Sequence, residues 1–370
     1  MNRRGFLAST GSLTVGLTVG CLDGRHNGHS ASKAQSRTTD TLTTRTAGDG
    51  IYRNPVFEHV FPDPGVIDVD GAFVAYSTHQ EWGDGRERRL VPIIRSSNLV
   101  DWQYVGAAFE TEPNWQPGSG LWAPDIARID GRYVLYYSLT RFGDPNPGIG
   151  IATADSPTEI FVDQGKLLRS KEAGIPNAID PCPIVENGIP CLFCGSHRGI
   201  YGVELTADGL SVVGEPFQVA GDGIEAPYVI ERNGFYYLFG SRGSCCNGAT
   251  STYHIVVGRS RSLRGPYRNA NGSPLLDASG TTILHGSETF AAPGHNCIVR
   301  VDDTDWILYH AYERANLWIE RTPRRVLMLD RLRWIDGWPI VENLEPSRIE
   351  HRPMGDRGSS QALASGLSSS

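Results

Sequence analysis

The chain has no run that could cross a membrane as a helix, which takes about 20 predominantly apolar residues. The apolar stretch near the start, Ala8 to Gly20, is short and broken by Ser, Thr and Gly. Nor is there a cluster of Lys and Arg to neutralise phosphates, and the formal net charge is −7, which argues against a nucleic-acid partner. A neutral polysaccharide is compatible with that charge. Helical periodicity is scarce. Apart from Cys21 the cysteines are Cys182, Cys191, Cys194, Cys245, Cys246 and Cys297. No spacing among them resembles a four-ligand zinc site. Their even number in an exported chain permits disulfides without specifying the pairing.

Export is read from the N-terminus. Arg3-Arg4 before the apolar stretch is a twin-arginine signal. The stretch ends at Thr18-Val19-Gly20-Cys21, similar to a lipoprotein cleavage site whose cysteine becomes the lipidated N-terminus. Residues 1–21 are therefore expected to be a signal, and the protein to lie outside the cell, anchored at Cys21 to the outer face of the membrane. Residues 22–50 are Ser, Thr, Gly and charge, too poor in apolar side chains to offset the entropy of ordering, so they read as a disordered spacer. The tail 353–370 reads the same way. Residues 51–352 are expected to form one domain, because no Ser/Pro-rich break interrupts them, and the protein to be a monomer.

That domain reads as all-β. Short aromatic and β-branched runs recur between Gly, Pro, Asn and Asp. Five of them are similar: Phe73–Ser77, Tyr133–Ser138, Cys191–Ser196, Tyr236–Ser241 and Trp306–His310. A turn glycine precedes the first four (Gly71, Gly131, Gly188, Gly234), with another apolar strand upstream, so each unit contains a hairpin. The upstream strands open on Asp63-Pro64, Pro124-Asp125, Asp180-Pro181, Glu225-Ala-Pro227 and His295. Five hairpin repeats, each about the length of a four-stranded blade, predict a single five-bladed β-propeller. In such a fold Asp63, Asp125, Asp180, Glu225 and His295 are expected at one position of the repeat, converging on one mouth of the central channel.

Singly, these residues have structural explanations, since Asp-Pro and Pro-Asp open turns. Together they crowd like charges onto one axis, which costs stability and points to use. Glycosidic hydrolysis needs a carboxylic acid to protonate the leaving oxygen and a carboxylate to direct attack. A third carboxylate nearby can raise the pKa of the acid. Cation binding is the competing use of an acid cluster. A Ser-His-Asp arrangement has no Gly-x-Ser-x-Gly elbow to support it.

Trp122-Ala-Pro-Asp125, Asn177-Ala-Ile-Asp180-Pro181, Gly223-Ile-Glu225-Ala-Pro-Tyr228 and Asn233-Gly-Phe-Tyr-Tyr-Leu-Phe239 resemble motifs of glycoside hydrolase family 43. With Cys245-Cys246, Ser251-Thr-Tyr253, Gly294-His295-Asn296, Trp306–Tyr312 and Asp336-Gly-Trp-Pro339, they are similar to its endo-1,5-α-L-arabinanases in particular. The resemblance implies an inverting hydrolase of plant cell-wall arabinan or arabino-oligosaccharides. Asp63 would be the general base, Glu225 the general acid, and Asp180 the residue that tunes Glu225. Asn177, Ser196, Gly150, Trp122 and Asp125 would lie near the sugar. His295 would contact a largely hydrated calcium ion on the axis.

Two positions depart from the family pattern. Pro62 stands where a histidine is usual, and His197-Arg198 follow Ser196 where aromatic residues are. Both fall near the expected cleft and bear on the mode of attack. The rival readings are an exo-acting α-L-arabinofuranosidase or β-xylosidase of the same family, and a non-catalytic sugar-binding surface lipoprotein. The exo-enzymes often carry an appended β-sandwich, for which the chain after Glu350 leaves no room. A pure binder has no need of all three acids.

Overall fold

The computed structural model describes residues 50–353, Arg321 excepted. The signal, the spacer and the tail expected from the sequence lie outside the described residues, apart from their boundary positions. What is described is almost entirely strand, in five antiparallel sheets of four main strands. Four blades are built from consecutive strands. Their innermost strands are Gly65–Val69, Gly120–Ile129, Cys182–Glu186 and Glu225–Arg232. The fifth takes Phe290–Val301, Thr304–Glu313 and Arg325–Ile335 from the end of the domain and Phe57–Val60 from its beginning. A ring of sheets has no free radial edge to seal it, so this exchange closes it. A ribbon of Ile51–Arg53 with Ile349–His351 lies beside the closure.

The hairpins follow from their turn residues. Asp70-Gly71, Asp130-Gly131, Asn187-Gly188 and Asn233-Gly234 all take positive φ at both positions. This is the two-residue turn whose twist matches the flanking strands, and it favours Asp-Gly and Asn-Gly. The cores lie between neighbouring blades. Blades 1 and 2 enclose Tyr76, Leu121, Leu135 and Tyr137, and blades 3 and 4 enclose Phe193, Val229 and Leu238. Between blades 5 and 1 the N-terminal strand supplies Phe57, Val60 and Phe61 against Trp102, Leu308 and Leu329.

The repeat differs in one respect from its reading in the sequence. The shared position is the residue before a proline, held at positive φ in every blade: Asp63, Ala123, Asp180, Ala226 and Ala292. Only Asp63 and Asp180 among the ionisable residues occupy it. Glu225 stands one residue earlier, Asp125 two later and His295 three later. A left-handed conformation costs a non-glycine residue about 1–3 kcal/mol. The surrounding hydrogen bonds hold it, and here they come from the neighbouring blade. Thr78 Oγ1 accepts from the Ala123 amide (2.8 Å) and Ser138 Oγ from the Asp180 amide (2.9 Å). Ser241 Oγ accepts from the His295 amide (2.9 Å) and His310 Nδ1 from the Asp63 amide (3.1 Å). Ser196 Oγ completes the circle by donating to the Glu225 carboxylate (2.7 Å). The small polar residue or histidine at the end of each repeated strand thus clamps the entry of the next blade.

Candidate active site

The kinked entries open onto one cavity of ≈ 860 Å³ lined by residues of all five blades. Asp63, Asp180, Glu225 and His295 face it together, as do Trp122, Asn177 and Ser196. Two expected residues do not line it. Asp125, two positions beyond its kink, is buried, and its Oδ1 accepts from the Ile126 amide (2.9 Å). Burial pushes its carboxyl up to about 8. Gly150 lies in the third strand of blade 2 against the face of Tyr137, where any side chain would strike the ring. Its place is explained by packing.

Asp63 is a buried carboxylate held by cations and donors. Arg325 Nη1 lies 3.1 Å from Oδ1, and Thr78 donates to Oδ2 (2.6 Å). His295 Nδ1 is 3.5 Å from Oδ1. Burial raises its pKa, but the Arg325 charge, with His295 and His310, outweighs that and holds it well below the usual carboxylate range. Its carboxylate form is thereby favoured.

Glu225 and Asp180 share a different environment. Burial pushes Asp180 well above its ordinary value, and the charges of Glu225 and Asp63 push it further. Glu225 is also raised by burial, yet ends below its ordinary value because His197, Ser196 and Tyr253 hydrogen-bond to it. His197 Nε2 lies 2.8 Å from Glu225 Oε2. Of this acid pair, Asp180 is the member biased toward its neutral form.

His197, Tyr253, Arg325, His310 and Thr78 were not singled out as site residues from the sequence. His310 had a signal, since it ends a repeated strand where the others carry serine. Arg325 had none: it arrives from the third strand of blade 5, far along the chain from Asp63. Phe142 is exposed on the cavity rim, 4.9 Å between ring centres from Trp122. Cys245 and Cys246 form a disulfide between adjacent residues in the cavity wall, and the other four domain cysteines are buried free thiols.

The expected calcium ion can be weighed against these donors. No group of three or more His, Cys, Asp or Glu among the described residues could hold a metal ion directly. Calcium takes six to eight oxygens. The side chains therefore form no direct cage, and only an ion that keeps most of its water would fit beside His295.

A fixed carboxylate and a carboxyl group able to donate, carried by different blades and facing one open cavity, define the site of a glycoside hydrolase. The chain belongs to the glycosyl hydrolases family 43, which residues 52–339 match. It is 32% identical over 286 residues to an extracellular exo-α-(1→5)-L-arabinofuranosidase of Cellvibrio japonicus, covering 69% of this chain and 81% of the relative. It is 33% identical over 267 residues to an extracellular endo-α-(1→5)-L-arabinanase of Bacillus subtilis, covering 68% and 80%. Among solved structures, an α-L-arabinanase of Cellvibrio cellulosa complexed with arabinohexaose superposes with a TM-score of 0.69 at 29% identity, over 77% of this chain and 96% of that one.

Proposed function

We propose that this protein is an inverting endo-1,5-α-L-arabinanase. The observation that carries the reading is geometric: Asp63, beside Arg325, and Glu225, on another blade and hydrogen-bonded by Ser196 and His197, face one open cavity. In the reaction Asp63 takes a proton from water as its oxygen attacks the anomeric carbon. Glu225 gives a proton to the departing glycosidic oxygen. The chain is cut into a hydroxyl-ended fragment and a new reducing end of inverted configuration, and solvent then takes the proton gained by Asp63 and returns one to Glu225. Asp180, protonated, donates a hydrogen bond to a sugar hydroxyl and orients the ring. Asn177 supports this wall from behind, since its amide donates to the Ser196 carbonyl (2.9 Å). The Trp122–Phe142 rim favours a polymer lying across the mouth over a single end sugar in a closed pocket, which is why the endo mode is chosen over the exo.

An NMR time course on debranched arabinan tests mode and stereochemistry together. Mixed oligomers whose first reducing ends carry the β configuration are expected. Arabinose alone from the earliest point would mean exo attack, and initial retention would mean a covalent intermediate on Asp63. Binding without cleavage would leave the sugar-binding lipoprotein.

Bound against His295, calcium would supply positive charge beside Asp63. Titrated into chelator-treated protein, it should shift the His295 imidazole NMR signal, and an unmoved signal removes the ion from the site. The protein works outside the cell, like the extracellular relatives. Export through the twin-arginine route and anchoring at Cys21 rest on the N-terminal sequence alone. Mass spectrometry of the exported protein should find a lipidated cysteine at the new N-terminus and, under native conditions, a monomer.

A further inference from the structure

The general acid has a partner that the reaction scheme does not use. His197 stands in the turn between two strands of blade 3, Ile189–Cys194 and Ile200–Leu205, with φ 57°. That turn is tightly held. The Gly195 amide donates to the Ile179 carbonyl (2.8 Å), and the Gly223 amide donates to the His197 carbonyl (2.9 Å). Asn177 secures Ser196 between them. Gly195 and Gly199 pack so closely that a side chain on Gly195 would overlap the Gly199 carbonyl. The backbone thus aims the imidazole, whose side chain is 58% exposed to the cavity, at Glu225. His197 Nε2 and Ser196 Oγ both address the same oxygen, Oε2, at 2.8 and 2.7 Å.

We propose that His197 is the positioning residue of the general acid, which fixes Oε2, leaves Oε1 to carry the donated proton, and when protonated holds Glu225 in its ionised form. The inference rests on Glu225 being the acid. Two donors on Oε2 make Oε1 the oxygen where a proton meets less opposition, with the Tyr253 hydroxyl the remaining partner of the carboxyl. Other groups facing Glu225 are Asp180 from the entry of blade 3, Tyr253 from blade 4 and His295 from blade 5. Burial lowers the His295 imidazole below its ordinary value, which favours its neutral form. Among the described residues, the basic side chain in contact with Glu225 and biased toward its charged form is His197, which hydrogen bonding to Glu225 raises above its ordinary value despite partial burial.

The pair then titrates as a unit. Between its two ionisations it holds one proton, mostly on His197, and the form with the proton on Glu225 is a fixed minor fraction. Over that interval kcat/KM, which reports the free enzyme, is flat. With a glutamine in place of His197 the donor to Oε2 remains but cannot charge. Protonated Glu225 then increases about tenfold for each pH unit of acidification until its own pKa is reached.

Two measurements on the full domain test this. The His197 imidazole NMR signal, assigned by its loss in His197→Gln, should titrate above pH 6.5 in the wild type. In Glu225→Gln its midpoint should fall by about one pH unit or more, a shift of the size one close charge produces. An unmoved midpoint overturns the proposal, whatever the substrate proves to be. The kinetic arm compares kcat/KM for arabino-oligosaccharides. His197→Gln should match the wild type within about twofold at pH 8 and exceed it by about tenfold near pH 5, by the linkage above. An aryl arabinoside, needing no acid, should show no difference between them. Superimposable oligosaccharide profiles would also overturn the proposal. Failure of the wild type to cleave arabinan at all would refute the substrate reading while the NMR arm still decides the role of His197.

Discussion

Glu225→Ala is expected to slow arabinan cleavage by about 10²–10⁴-fold, the usual contribution of a positioned proton transfer, while an aryl arabinoside loses far less. The reason lies in the leaving group. A sugar alkoxide cannot depart at a useful rate without a proton, whereas a phenolate can. The substitution also removes the acceptor for Ser196 and His197. Both lie at the cavity wall, where water can replace the lost partner, so folding should survive. Parallel kcat/KM values on the two substrates check the result. Equal losses on both would take the acid role away from Glu225.

Asp63 should behave in the opposite manner. Asp63→Ala removes activation of the attacking water, which both substrates require, and both rates should fall by a comparable 10²–10⁴-fold. Here stability needs a control. Deleting the carboxylate strips Arg325 and Thr78 of their partner in a buried setting, and an uncompensated buried charge costs about 3–5 kcal/mol. Asp63→Asn keeps the shape and the Thr78 contact without the base. It leaves Arg325 without a counter-charge too, so it should lower the melting temperature less than Asp63→Ala, through the retained Thr78 contact, and still lose activity on both substrates. If either Asp63 variant spared the aryl arabinoside while losing arabinan, the two carboxylates would have to exchange roles.

Much of this was legible along the chain because the repeat writes the same physics five times. Asp-Gly and Asn-Gly turns between alternating apolar runs specify hairpins locally, and five hairpins of similar length specify blades. Asp63 and Asp180 could be picked out because each stands beside a proline at a blade entry, and Glu225 because Pro227 follows it two positions on. The same signal overreached for Asp125 and Gly150. Asp125 sits beside a proline too, but two residues past the left-handed kink rather than at it, and there it does not line the cavity. Gly150 carries no local sign of whether its face meets sugar or Tyr137.

By itself, then, the sequence determined the all-β class, the blade count, the acids at the entries and the composition of the flanking segments. Each depends on neighbours within a few residues. Only the tertiary structure decided how the ring closes, since Phe57–Val60 pairs with a strand more than 250 residues away. It alone decided which carboxyl is ionised as well. Arg325 reaches Asp63 across 262 positions, and His197 reaches Glu225 from another blade. A carboxyl's charge state follows from burial and from the charges within a few ångströms of it, and chain order records neither.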